Sequence, residues 1–125
     1  MRLLLDTHVF LWAVVGSPLL KPPARRIIES ADQVYVSAAS VWEIAIKARL
    51  GKLDADPDAL VAAIGASGFI ELPVRAVHAV EVARLAPHHS DPFDRLLVAQ
   101  ATTEPLKLLT ADAVLARYSD VVVLV

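Results

Sequence analysis

Apolar residues along this chain fall into short runs, separated by longer stretches in which they recur every three or four positions. A parallel-sheet strand buried on both faces reads as a continuous apolar run, and a crossover helix reads with a period of about 3.6. The alternation of the two predicts βαβ units. Strands are expected over Arg2–Leu5, Val34–Val36, Phe69–Leu72, Leu106–Leu109 and Val121–Val125. Helices are expected over Val9–Val15, Ala24–Ala31, from Ser37 or Ser40 to Leu50, from Asp56-Pro57 to Ile64, over Val74–Leu85, from Asp91-Pro92 to about Thr103, and over Ala111–Arg117. Proline at a helix start and glycine just past its end supply the punctuation: Pro22-Pro23 before the second helix, Gly51 after the third, Gly65 and Gly68 after the fourth. Pro87-His88-His89-Ser90 reads as a turn. The pattern has no repeat, linker or low-complexity segment. It predicts one domain over residues 1–125, a three-layer α/β/α fold with a mostly parallel central sheet of about five strands.

Composition narrows this picture in three ways. The 125 residues suffice for one core. Apolar residues make up 56% of them, above the ~45–50% usual for soluble domains, so some apolar surface is expected to remain for a partner. With 12 basic against 14 acidic residues, the chain has no global positive field, and any grip on phosphate must be local. The absence of cysteine excludes disulfides and thiolate metal sites and makes a reducing cytosol the natural compartment. Arg2 followed by Leu3-Leu4-Leu5 begins like a signal peptide, but Asp6-Thr7-His8 interrupts it and no small-residue cleavage site follows Val15. No run reaches the ~18 apolar residues that span a bilayer, so a soluble, cytoplasmic protein is expected.

The acids fall where a parallel sheet gathers chemistry. Asp6 directly follows the first strand, Glu43 lies in the helix entered after the second, and Asp112 comes two residues after Thr110 at the end of the fourth. All three belong near the carboxyl ends of strands, where open α/β folds bind ligands. Asp94 sits in a first helical turn that a loop can bring to the same edge. Each acid also has a purely structural role available. Asp6 can cap a helix; Glu43 can close a Ser40–Glu43 capping box or pair with Lys47; Asp91 and Asp94 can serve a helix start; Asp112 favours a helix N-terminus. Taken together, converging carboxylates repel by about 4 kcal/mol per pair at 4 Å and an effective dielectric of 20. They must take up protons or hold a cation. Oxygen-only ligands point to Mg²⁺ or Mn²⁺, which can orient and acidify a water for attack on a phosphodiester.

Four stretches carry a family resemblance: Leu4-Leu5-Asp6-Thr7-His8, Val36–Ile44, Asp91-Pro92-Phe93-Asp94-Arg95-Leu96-Leu97-Val98-Ala99-Gln100-Ala101, and Leu109-Thr110-Ala111-Asp112. In this order and spacing the chain resembles, over essentially its whole length, the PIN-domain superfamily and within it the VapC-like toxins of bacterial VapBC toxin–antitoxin pairs. The resemblance implies that Asp6, Glu43, Asp94 and Asp112 form an acidic metal site, with Thr7 and Thr110 as supporting hydroxyls and Asp91 left as a cap. It further implies a Mg²⁺- or Mn²⁺-dependent endoribonuclease acting on structured RNA such as tRNA or ribosomal RNA. A VapB-like antitoxin would wrap and silence it in a toxin–antitoxin hetero-oligomer, and its active form would be a homodimer.

Around this set, Arg95, Lys47, Arg49 and Lys52 are candidates to hold RNA phosphates, Arg95 foremost; basic residues at helix C-termini are also expected on dipole grounds. Arg25 and Arg26 are candidates of the same kind. His88-His89 is expected to be a solvated turn, since no third nitrogen ligand stands at helical spacing. His8, Trp12 and Trp42 are expected to be structural, the two tryptophans in the core. Two other enzyme classes place an aspartate after a first strand. Haloacid-dehalogenase-like phosphatases need a second aspartate where His8 stands, and receiver domains need an acidic pair where Asp6 stands alone. An RNA-processing nuclease outside a toxin–antitoxin pair, or a catalytically silent RNA-binding domain, are the remaining alternatives.

Overall fold

Leu3, Leu4 and Leu5 have no exposed surface at all, and that single fact organises the molecule. The computed structural model describes residues 1–118 and 120–125. Strand β1 (Arg2–Leu5) is hydrogen-bonded on both sides, to β2 (Gln33–Ser37) and to β4 (Lys107–Thr110). With β3 (Ile70–Leu72) and β5 (Val122–Leu124) they form an all-parallel sheet in the order β3-β2-β1-β4-β5.

Leu3 and Leu5 point into one core with Val9, Phe10, Ile44 and Leu109, while Leu4 points into a second with Leu97, Val98 and Leu108. Period-two alternation thus splits one apolar run between two cores, which requires helices on both faces. The helices are α1 (Thr7–Val15), α2 (Pro22–Ser30), α3 (Ala38–Arg49), α4 (Pro57–Ala66), α5 (Ala76–Val82) and α6 (Pro92–Thr103). Residues of α1 to α4 build the first core, and α6, with α5 against it, covers the second face. The expected three-layer α/β/α fold is present. No helix among the described residues is long and apolar enough to cross a membrane.

Several boundaries differ from expectation for identifiable reasons. Helix α1 begins two residues early, at Thr7, and ends where Gly16 adopts φ 65°, a left-handed conformation that costs glycine little. Of the two candidate caps of α3, Ser37 is the one used: its Oγ accepts the Ala39 N–H at 3.0 Å. Helix α4 runs through Gly65, and the left-handed turn comes at Gly68. Helix α5 is shorter than expected at both ends. At its start the Arg75 N–H donates to His78 Nδ1 at 2.9 Å. Past Val82 the chain tightens into three-residue turns, with Ala83, Arg84 and Leu85 bonding back to Val80, Glu81 and Val82. The expected Ala111–Arg117 helix is only a 3-10 turn over Leu115–Arg117.

Candidate active site

In strand order β3-β2-β1-β4-β5 successive strands are added outward on one side of β1 and then, from β4 on, on the other, which puts the topological switch point between β1 and β4. Crevices at such switch points lie at the carboxyl ends of the strands and are where α/β sheets bind ligands. Asp6 leaves β1 and Thr110 ends β4, so both stand at that crevice.

Asp6 occupies the N-cap position of α1 but makes no capping bond. Its Oδ2 instead accepts the Thr110 hydroxyl at 2.5 Å, and Thr110 Oγ1 accepts the Asp112 backbone N–H at 3.0 Å. One threonine therefore ties the first strand's acid to the loop that carries the fourth. Burial holds the Asp6 carboxyl above its ordinary range, and Glu43 adds to the rise, although Thr110 and nearby His8 oppose it.

Glu43 is brought in by α3. Thr7 Oγ1 lies 2.9 Å from Glu43 Oε1 and 2.9 Å from Ser40 Oγ. With a single proton to give, the threonine serves the carboxylate and leaves Ser40 to donate. Lys47 Nζ donates to Glu43 Oε2 at 2.6 Å, the i,i+4 pair the sequence allowed. That bond raises the Lys47 ammonium above its usual range, and Asp91 and Asp94 push it the same way. The helix pairing and a place at the site are both true of Glu43.

Asp91 caps α6, its Oδ1 accepting the Asp94 N–H at 3.0 Å. The Asp94 side chain is thereby free of capping duty. Burial, then the charges of Asp6, Asp91 and Glu43, push its carboxyl up to about 7, with His89 pulling the other way. Asp112 is the more exposed acid. Its partial burial raises it, but the Val114 N–H and His89 outweigh that and hold it below the ordinary range.

Two expectations, for His89 and Trp42, are corrected here, and the Arg95 side chain is engaged within the chain. His89 is not a solvated turn residue: its Nε2 lies 3.1 Å from Asp112 Oδ2 and 3.3 Å from Asp94 Oδ2, and His88 packs against the Tyr118 ring, centroids 5.0 Å apart. The expectation failed because a backbone amide, that of Asp91, fixes the ring through Nδ1 at 3.0 Å, and side-chain periodicity carries no trace of that. Arg95, expected foremost to meet phosphate, turns inward. Its guanidinium donates to the carbonyls of Val82 (3.0 Å), His89 (3.2 Å) and Ala86 (3.3 Å) and to the Tyr118 hydroxyl (3.3 Å). Trp42 is not core: it is 61% exposed, its ring meeting Phe93 edge-on at 5.3 Å. Trp12 is half-buried against the first core as expected, and His8 is exposed. Arg49 and Lys52 are exposed at the end of α3. Ser40 was missed as a site-supporting residue; its place one turn before Glu43 on α3 was the available signal.

The arrangement is an α/β/α domain with a carboxylate-lined crevice at its topological switch point. Residues 3–121 match the PIN domain family, and the chain belongs to it. Solved structures share the fold. One is the VapBC2 complex of Rickettsia felis bound to a promoter DNA fragment, with TM-score 0.70 and 14% identity over 98% of this chain and 96% of that one. FitAcB of Neisseria gonorrhoeae aligns with TM-score 0.63 and 22% identity over 98% and 96%. A toxin–antitoxin complex of Klebsiella pneumoniae aligns with TM-score 0.67 and 17% identity over 96% and 94%. No curated protein matches the chain.

Proposed function

We propose that residues 1–125 work as a single PIN domain: a Mg²⁺- or Mn²⁺-dependent endoribonuclease, the toxin of a cytoplasmic toxin–antitoxin pair, that cleaves structured RNA and so inhibits translation. PIN domains are generally nucleases. The toxin reading is supported by the complexes whose fold this chain shares. The observation that carries the chemistry is the electrostatics of the crevice. Burial first, and then the charges of Asp6, Asp91 and Glu43, push the Asp94 carboxyl up to about 7.

The residues suit a hard divalent cation. Their donors are carboxylate oxygens, and without a cation the crevice holds its own charge poorly. In this reading Asp6, Glu43, Asp94 and Asp112 hold the ion. Thr110 fixes Asp6 and Thr7 fixes Glu43, and Lys47 neutralises the outer face of Glu43. A bound ion there supplies Lewis acidity for water and for the phosphodiester. Arg49 and Lys52, with Lys47 in part, meet the phosphates that flank the scissile one.

An antitoxin of VapB type is the proposed inhibitor. A groove of about 420 Å³ beside α1, lined by His8, Leu11, Trp12, Val15, Leu53 and Leu60, supports an amphipathic helix as its docking segment. A homodimer within the toxin–antitoxin complex is the proposed assembly, supported by the uncovered apolar residues Trp42 on α3 and Leu50 just past its end.

The test is cleavage of total RNA by antitoxin-free protein, with Mg²⁺ or Mn²⁺ and with EDTA, beside Asp94→Asn. Discrete fragments that need the metal and vanish in the variant are expected. No cleavage by the native protein would defeat the enzyme reading and leave an RNA-binding domain. Cleavage that survives Asp94→Asn would mean the site lies elsewhere.

A further inference from the structure

We infer that His89 is a positioning residue that aims the Asp112 carboxylate toward Asp94 through its Nε2–H, and that it stays outside the ligand set when a divalent cation binds. The inference rests on the reading that these two acids are metal ligands.

Taken by distance alone, His89 looks like a ligand. Among the described residues, His89, Asp94 and Asp112 are the one group of metal-type side chains whose ligand atoms all lie within 4.8 Å of one another. Hydrogen bonding argues otherwise. The Asp91 backbone N–H donates to His89 Nδ1 at 3.0 Å. An accepting ring nitrogen bears no proton, so the neutral imidazole carries its proton on Nε2. That is the atom 3.1 Å from Asp112 Oδ2 and 3.3 Å from Asp94 Oδ2. A metal bond at Nε2 needs the lone pair that this proton occupies. Freeing it by moving the proton to Nδ1 would set one N–H against another, because a backbone amide cannot exchange its role. The amide of Asp91 therefore keeps His89 a donor toward the acids.

The ring cannot easily leave, either. Arg95 Nη1 binds the carbonyls of Ala86 and His89, and the Tyr118 hydroxyl donates to the Ala86 carbonyl at 2.6 Å. These contacts anchor the loop on both sides of the ring. Asp112 depends on the result. It lies in a turn after β4 with its side chain 35% exposed. Apart from His89, its carboxylate accepts the Val114 N–H, at Oδ1, 2.9 Å away. It is His89 that aims Oδ2 toward Asp94, against the repulsion of two like charges.

The test is Mn²⁺ titration by calorimetry into the full chain, freed of antitoxin, comparing native protein with His89→Phe and His89→Gln. Phenylalanine keeps the ring volume without a donor, and glutamine keeps an N–H donor without an imidazole. The expected result is a loss of about 10- to 100-fold in Mn²⁺ affinity for His89→Phe, with most of it recovered in His89→Gln. In an Asp112→Asn background, His89→Phe should cause little further loss. Equal weakening by both variants would make the imidazole itself a ligand and overturn the inference. No weakening by either, or losses from His89→Phe and Asp112→Asn that simply add, would overturn it as well. Native protein that binds no Mn²⁺ would defeat the metal reading and this inference with it. Mn²⁺ binding that depends on His89 in a protein that cleaves no RNA would defeat only the nuclease reading.

Discussion

At the scale of one residue, Asp94 shows how burial and like charge combine. In an unfolded chain its carboxyl titrates near 3.8, and in the fold near 7. Between those values the folded state binds more protons, so stability falls as pH rises. The favourable contribution is complete below the unfolded value and is lost as pH climbs through about 7. Metal-free protein, melted in EDTA, should therefore lose thermal stability between about pH 4 and about pH 7. Asp94→Asn should flatten that decline and raise the melting temperature at the alkaline end. A decline unchanged in the variant would place the strain on another acid. Asp94 was legible in the sequence because Asp91-Pro92 marks a helix start, which leaves the next acid free for other work. His89 was not legible: its role depends on the Asp91 amide and on acids from two other segments. Trp42 was misread because an apolar helix position says only that the side chain avoids water, and a face left for a partner looks the same in one chain.

At the scale of elements, helix starts written by Ser37, Asp56 and Asp91 were readable, since each cap acts on a backbone amide two or three residues away. The ends of α5 were not. They answer to contacts made across the fold: the Val82 carbonyl is taken by Arg95, and His78, fully buried, bonds Glu104 at 2.5 Å. Arg95 in effect splices the end of α5, the loop over residues 86–89 and Tyr118 into one unit. Lysine has one nitrogen in place of a planar fork and cannot reach all four oxygens. Arg95→Lys should therefore cost about 1–3 kcal/mol in urea unfolding, with little change in the salt dependence of RNA binding. The reverse result, full stability with weaker and less salt-sensitive RNA binding, would return Arg95 to the substrate-facing place that its neighbour Asp94 suggested.

At the scale of the whole molecule, the strand order sets both the site and its charge problem. Placing β1 and β4 side by side brings Asp6 and Thr110 together although 104 residues separate them. The apolar runs foretold a parallel sheet, and the acids after them fall at or near the carboxyl ends of its strands, because both follow from local sequence. Which strands become neighbours is fixed by long-range packing, and was accessible only through family resemblance. The resulting crevice is acidic in a chain of net charge −2, so a polyanionic substrate gains little from the protein's overall field. Lys47 is tied to Glu43 at 2.6 Å, which leaves Arg49 and Lys52, exposed at the end of α3, as the freer cations of that segment. With two or three phosphates neutralised, log affinity for single-stranded RNA, measured on Asp94→Asn in Mg²⁺, should fall against log salt with a slope of about −1.4 to −2.1. Arg49→Ala and Lys52→Ala should each make it shallower by about 0.7. A slope steeper than about −4 would require more cations than this face of one chain provides. The RNA would then be held across a wider surface, and Arg49 and Lys52 would form only part of it.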